Sequence, residues 1–293
     1  MGNLFDQVEL DIEKLHQELN SGILPFSRNE HYLNILHRVL CRFNYYDAFI
    51  ESGFIRGWFQ EFHEFWSCVA HGRTLNLPGF FYLYSHYRIR FQYVEVEEQA
   101  KASAYKHAWQ RYENIFTLFQ YVYKDAAHPF AYRSFKKVLP EGGRILEYGC
   151  GAAPIVTSMV KSRCKRYQYT IADIRGFPYL YAKYRLMQHG VECVDIEPYQ
   201  APKLTGRFDA IFLQTVLEHL PDPVVVMNIL TDHLNSGGIL VFDYILSEGR
   251  GLDTKEAVQM RGPVLDHIKA NYQLLRGQLL YDKSMSTTVA RKN

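Results

Sequence analysis

Between Arg144 and Pro154 the chain reads Arg-Ile-Leu-Glu-Tyr-Gly-Cys-Gly-Ala-Ala-Pro: an apolar run, an acid, two glycines one residue apart and a proline. No other stretch constrains the fold so tightly. The apolar run predicts a short buried strand. The proline predicts the first turn of a helix, where its missing N–H has no intrahelical partner. Gly149 and Gly151 remove the Cβ atoms that would block positive φ or the close approach of a ligand. The layout is therefore strand, tight turn and helix N-terminus, a place where backbone meets ligand. A dinucleotide turn prefers G-x-G-x-x-G, its third glycine allowing close packing of helix on strand. Here Pro154 stands in that third position, and Glu147 lies two places before the first glycine. An acid there is unhelpful to a pyrophosphate and suits a ligand carrying positive charge.

Beyond the turn, apolar runs recur at the spacing of a sheet. Tyr169-Thr-Ile-Ala-Asp173 predicts a second strand ending in a carboxylate, 22 residues after Gly151. A carboxylate at that tip can accept two hydrogen bonds from a ribose diol. Val191-Glu-Cys-Val-Asp-Ile196 predicts a third strand, tipped by Asp195 and Ile196. An acid for an exocyclic amine and an aliphatic group for a ring face suit an adenine. Phe208–Gln214 predicts a fourth strand running into Thr215-Val-Leu-Glu-His-Leu-Pro-Asp-Pro223, and Ser236-Gly-Gly opens a fifth, at 239–244. Helices are expected near 153–163, 178–189 and 221–234, and the tail offers two last strands at 272–278 and 286–290. Such alternation argues for a mostly parallel sheet covered on both faces.

Taken together these residues resemble the class I S-adenosylmethionine-dependent methyltransferase family, across roughly residues 128–293. The glycine turn, Asp173, Asp195, the Phe-Asp strand and the Gly-Gly-Ile-Leu strand occur in family order and spacing. The resemblance implies an α/β, Rossmann-like, seven-stranded, mostly parallel sheet with an antiparallel last strand, and S-adenosyl-L-methionine as cofactor. It places the methionine part at Glu147 and the Gly149-Cys150-Gly151 turn, and the ribose at Asp173 with Ile174 beside it. Asp195 and Ile196 would flank the adenine, and Gln214 with Thr215 would line the methyl-donor pocket. Leu217-Glu-His-Leu-Pro-Asp-Pro223 looks most like small-molecule members, such as those related to quinone-biosynthesis methyltransferases. Ala153, where many members have glycine, is a departure small enough to leave binding intact.

Methyl transfer from a sulfonium is an in-line displacement, so a protein mainly has to align the reactants and exclude water. Positioning of that kind supplies ~7–11 kcal/mol, and a general base adds ~100- to 10,000-fold for a hydroxyl acceptor. His219, just beyond the fourth strand, is the candidate base, because an imidazole titrates near neutrality. Glu218 is the second candidate, with local capping or pairing as its competing role. For His219 the competing role is packing or hydrogen bonding at a helix start. Tyr132 and Arg133, just before the core, are candidates to close over the cofactor, with a surface role as an equal alternative. The expected function is methyl transfer to a small molecule, at a hydroxyl oxygen. The alternatives are a catalytically silent, methyltransferase-like module whose helical half docks a partner protein, and a nicotinamide oxidoreductase, which Pro154 disfavours.

Ahead of residue 140 the periodicity is helical. Helices are expected at 4–19, 29–51, Ile55–Ala70, Lys101–Lys124 and Pro129–Leu139, with a domain boundary near Ala127. That divides the chain into a helical domain, 1–127, and a cofactor domain, 128–293. Aromatic residues make up 15% of the chain and crowd into 40–135, either as a substrate chamber or as bulky core filling. A homodimer through these helices is a further candidate use. A net charge of +2 is too near neutral for electrostatic capture of nucleic acid, and the basic run Lys161–Arg166 suits a helix C-terminus. No apolar run approaches the ~20 residues needed to span a bilayer. The first residues lack the basic-then-apolar order of a signal peptide. Five cysteines without a C-x-x-C pair, and histidines without an H-x-x-x-H pair, suggest neither disulfides nor a metal. A reducing cytoplasm is the expected location.

Overall fold

The computed structural model describes residues 56–69, 115–127 and 131–293, apart from 163, 165, 198–199 and 247–252, with a few isolated positions before residue 88. Seven strands form one sheet: β1 (Gly143–Tyr148), β2 (Tyr167–Asp173), β3 (Glu192–Asp195), β4 (Phe208–Leu213), β5 (Leu234–Tyr244), β6 (Tyr272–Arg276) and β7 (Met285–Lys292). Their order is β3-β2-β1-β4-β5-β7-β6. The pairs β1–β2, β1–β4, β2–β3 and β4–β5 are parallel, whereas β7 runs antiparallel to both of its neighbours. Chain order reverses across β1, with β2 on one side and β4 on the other. Such a switch point opens a crevice at the carboxyl ends of the strands.

Helices α1 (Arg56–Val69) and α2 (Ile115–Ala127) precede the sheet, and α3 (Pro154–Lys161), α4 (Phe177–Leu186) and α5 (Pro223–His233) connect its parallel strands. Helices α6 (Lys255–Gln259) and α7 (Arg261–Asn271) link β5 to β6. Side chains alternate across each strand, and the core divides accordingly. Leu146, Ile211, Leu240 and Phe242 face Met227 and Leu230 of α5 and Val264, Leu265 and Ile268 of α7. Their sequence neighbours Ile145, Ala210, Phe212, Ile239 and Val241 face Ile155 and Met159 of α3, with Tyr132 and Phe135. With both faces covered, the central strands read as unbroken apolar runs rather than alternating ones. Each fully buried aliphatic or aromatic side chain here contributes ~1.5–3 kcal/mol.

All seven expected strands are present. Two segments differ from expectation. A helix over 129–139 is replaced by a 3-10 turn at Ala131–Ser134 and further turns. Its three-residue repeat brings Tyr132 and Phe135 onto the same face, where both are buried against β1 and β4. The second is α6–α7, a stretch for which the sequence reading named no element. Pro263 falls in the first turn of α7, where a missing N–H breaks no helical bond.

The expected helices 4–19, apart from Gln17, and 29–51, and all of 101–114, lie outside the described residues. Helix α1 matches expectation closely, and α2 runs three residues beyond Lys124. Both join one aromatic cluster with α4: Phe62 of α1 meets Phe119 of α2 at 5.8 Å, and Phe65 of α1 meets Tyr181 of α4 at 5.1 Å. Among the described residues no helix is long and apolar enough to cross a membrane.

Candidate functional site

A cavity of about 470 Å³ opens at the carboxyl tips of β1, β2, β4 and β5. On one side stands the glycine turn. The N–H groups of Gly149 and Cys150 both donate to the Ala172 carbonyl, at 2.8 and 3.3 Å, tying the turn to β2. Gly149 has a φ of +61°, and a Cβ there would sit 2.5 Å from a methyl of Val216. Glycine is therefore required at 149 by conformation and by space. Ala153, in the left-handed region at φ 53°, closes the turn and precedes Pro154 at the start of α3.

Glu147 lines the cavity, but both of its oxygens are engaged behind the turn. They accept the N–H groups of Ile155, at 3.1 Å, and Val156, at 2.8 Å. The buried carboxylate caps α3 from the preceding strand and takes the donors that a pyrophosphate would otherwise use. Toward a ligand it offers negative charge more than a free hydrogen-bonding edge.

Asp173, at the tip of β2, accepts from the N–H of Gly151 at 2.6 Å and from that of Ile174 at 2.7 Å. Burial pushes its carboxyl up to about 6, opposed by those two backbone donors. Asp173, Ile174 and Ile196 share the cavity wall with Gln214, Thr215 and His219. Asp195 does not. It is bound by Arg175 at 2.8 Å and Lys183 at 2.7 Å, and it is absent from the wall. Those partners hold its carboxyl below the ordinary range despite its partial burial. Glu197, two residues on, supplies the acid at that end of the cavity.

At the tip of β4, the Gln214 amide donates to Thr287 Oγ1 at 3.1 Å. Thr215 has a φ of +56°, an outlier for a β-branched residue. Its N–H donates to Asp243 Oδ1 at 2.6 Å. Asp243 lines the same wall, its carboxyl raised to about 6 by burial. Among the described residues, Thr215 and Ala153 are the non-glycine residues with positive φ, and both border this cavity or its glycine turn. Backbone strain of this kind concentrates at functional sites.

His219 lies on a 3-10 turn, Leu217–His219, with Nε2 3.9 Å from Glu218 Oε1. Glu218 is not part of the cavity wall. It is buried, and among the described residues neither carboxylate oxygen has a hydrogen-bond partner of good geometry, the backbone N–H groups of Glu218 and Ile245 being its nearest donors. Burial, followed by the nearby Asp243 and Asp253, raises its carboxyl to about 8. Burial likewise pushes the Cys150 thiol up, which makes Cys150 a packed side chain rather than a thiolate nucleophile.

Neither Tyr132 nor Arg133 reaches the wall. Tyr132 packs against the sheet, and its N–H donates to Ser158 Oγ. Sequence reasoning missed Tyr121, Glu197 and Asp243 as lining residues. Asp243 carried a usable signal, since it ends an apolar run just as Asp173 does; Tyr121, thirty residues upstream of the turn, carried none. Among the described residues no group of three His, Cys, Asp or Glu could hold a metal ion.

A carboxylate-tipped second strand, aliphatic wall residues, a glycine turn and a helix N-terminus already capped by an acid are the features expected of a nucleoside site without a phosphate cradle. Residues 118–278 match the family described as "Methyltransferase domain". The chain belongs to that family, of class I S-adenosylmethionine-dependent methyltransferases, for which S-adenosyl-L-methionine is the typical methyl donor. Stretches of it are similar to ubiquinone biosynthesis O-methyltransferases. The one from Xanthomonas oryzae is 33% identical over 106 residues, covering 34% of this chain and 41% of that protein. The one from Escherichia coli is 25% identical over 112 residues, covering 37% and 45%. The match thus spans less than half the length of these relatives. Among solved structures, an O-methyltransferase (NcsB1) from neocarzinostatin biosynthesis aligns over 70% of this chain and 69% of its own, at 14% identity and a TM-score of 0.45. A SAM dependent methyltransferase from Aquifex aeolicus aligns over 57% and 93%, at 17% identity and a TM-score of 0.44.

Proposed function

We propose that this chain transfers a methyl group from S-adenosyl-L-methionine to a hydroxyl oxygen of a small molecule. One observation carries the cofactor half of the reading: Glu147 takes the α3 N–H groups, while Asp173 faces a cavity large enough for a nucleoside. An adenosine thioether needs the Asp173 carboxylate for its ribose and has no phosphate to place. In this reading Asp173 and Ile174 hold the ribose, Ile196 covers the adenine, and Glu197 replaces Asp195 as the acid near the exocyclic amine. The turn at 149–151 backs the methionine part. Bound S-adenosylmethionine supplies a methyl on a sulfonium, open to in-line attack.

The protein's own contribution is then alignment and proton removal. Gln214, fixed by Thr287, and Thr215, fixed by Asp243, form a rigid wall at the β4 tip. His219 stands on that wall and takes the hydroxyl proton as the oxygen attacks. Similarity to O-methyltransferases over about a third of the chain supports an oxygen acceptor.

Calorimetry with S-adenosylhomocysteine tests the cofactor half, with Asp173→Ala expected to weaken binding at least tenfold. Equal affinity in the variant would count against the assignment. Homocysteine-containing product, followed over a panel of phenols, aliphatic alcohols and amines, tests the acceptor. His219→Ala is expected to lower turnover on a hydroxyl acceptor by about 100-fold while cofactor affinity stays within twofold. Unchanged turnover removes His219 from the chemistry, and intact cofactor binding with no product from any acceptor favours a silent binding module.

A further inference from the structure

The helical segment that precedes the sheet contributes a side chain to the cavity. Tyr121 lies on α2, and its ring carbons come within 3.7–3.9 Å of where a Cβ on Gly151 would stand. A ring at that distance from the missing Cβ stands over the second glycine of the turn, with the width of a methyl group between them. The placement is not that of a loose surface residue. Leu118, Phe119 and Val122, its neighbours on the helix, are buried, and Phe119 meets the edges of Phe62 and Phe80 at 5.8 and 5.0 Å. Helix α2 is thereby anchored to α1, which itself packs on α4, and the Tyr121 ring is presented to the turn by a packed scaffold.

We propose that Tyr121 is a cofactor-binding residue whose ring walls the amino-acid arm of S-adenosylmethionine against the Gly149–Gly151 turn. This rests on the cofactor reading above. The position along the cavity selects the arm rather than the nucleoside. Tyr121 adjoins the turn after β1, whereas Asp173, Ile174 and Ile196 stand at the tips of β2 and β3. A planar ring has few rotamers to lose and much apolar area to offer, which suits it to fixing a flexible chain. Glycine at 151 permits the left-handed turn, at φ +52°, and the space left by its missing side chain lies under the ring.

The test compares two ligands by calorimetry on the full chain: S-adenosylhomocysteine, which has the amino-acid arm, and 5′-methylthioadenosine, which lacks it. Tyr121→Ala is expected to weaken S-adenosylhomocysteine at least fivefold and methylthioadenosine less than twofold, with Tyr121→Phe binding both like the unmodified protein. Unchanged affinity for S-adenosylhomocysteine overturns the proposal, as does an equal loss for both ligands. Should Tyr121→Ala unfold, Tyr121→Leu, which keeps apolar volume on α2, is read by the same criteria. Failure of the unmodified protein to bind either ligand overturns the cofactor reading itself, while binding that only Asp173→Ala weakens overturns the role of Tyr121 alone.

Discussion

Gly149 and Glu218 show how differently two residues near one cavity can be constrained. At Gly149 the constraint is steric. Alanine there would combine a φ of +61° with a Cβ 2.5 Å from Val216, so Gly149→Ala is expected to cost roughly 2–4 kcal/mol. Gly151→Ala meets only an ordinary contact and should cost about 1–2 kcal/mol, from φ alone. Urea unfolding of the two variants checks the ranking. At Glu218 the constraint is electrostatic. Its folded-state carboxyl titrates near 8 rather than at the usual 4.5, so between those values the native state keeps a proton that the unfolded chain has shed. Stability then falls as pH rises through that window. Asp173 and Asp243, raised to about 6, act in the same direction but only at lower pH. Burial holds His267 below its ordinary value, which acts in the opposite direction near pH 6.5 and below; above that, among the described groups, the slope is mainly that of Glu218. Glu218→Gln should flatten it, leaving the variant on the order of 1–3 kcal/mol more stable than the parent at pH 8. Parallel slopes in thermal unfolding at pH 6, 7 and 8 would remove that account.

At the scale of elements, the legible features were the local ones. The turn at 149–151 and Asp173 stood out because a strand tip, a glycine and a carboxylate lie in one short run. The ion pairs of Asp195 were not legible, because Arg175 and Lys183 come from the segment after β2 and from α4. Nothing in Val191–Ile196 announces those partners. The helices between β5 and β6 were not named from the sequence, and they matter to the site. Thr254 caps α6 by accepting the Ala257 N–H, its hydroxyl donates to the Leu220 carbonyl, and its own N–H donates to the Glu218 carbonyl. One threonine thus ties α6 to the turn that carries His219. Thr254→Ala is expected to destabilise by about 1–2 kcal/mol, and Thr254→Ser, which keeps the hydroxyl, should restore most of it. Equal unfolding midpoints for the two variants would contradict the role of the hydroxyl.

For the molecule as a whole, a division near Ala127 follows the change of periodicity, but packing ignores it. Phe62 and Phe65 of α1 meet Tyr181 of α4, and α2 carries Tyr121 into the cavity. We propose that the described helices before the sheet fold as part of the cofactor-binding body. A fragment of residues 128–293 is then expected to lose at least tenfold in affinity for S-adenosylhomocysteine and to unfold at lower temperature than the full chain. Calorimetry showing equal affinity would restore an independent domain. The capped start of α3 has a broader consequence. A cell offers its proteins far more ATP, ADP and NAD than any sulfonium nucleoside, and all of them share the adenosine that this cavity is proposed to accept. Because Glu147 already accepts the α3 N–H groups, we expect those abundant phosphorylated look-alikes to meet a negative wall where they need amide donors. Rejection of competitors would then reside in the backbone of the fold, and millimolar ADP should leave S-adenosylhomocysteine binding undisturbed.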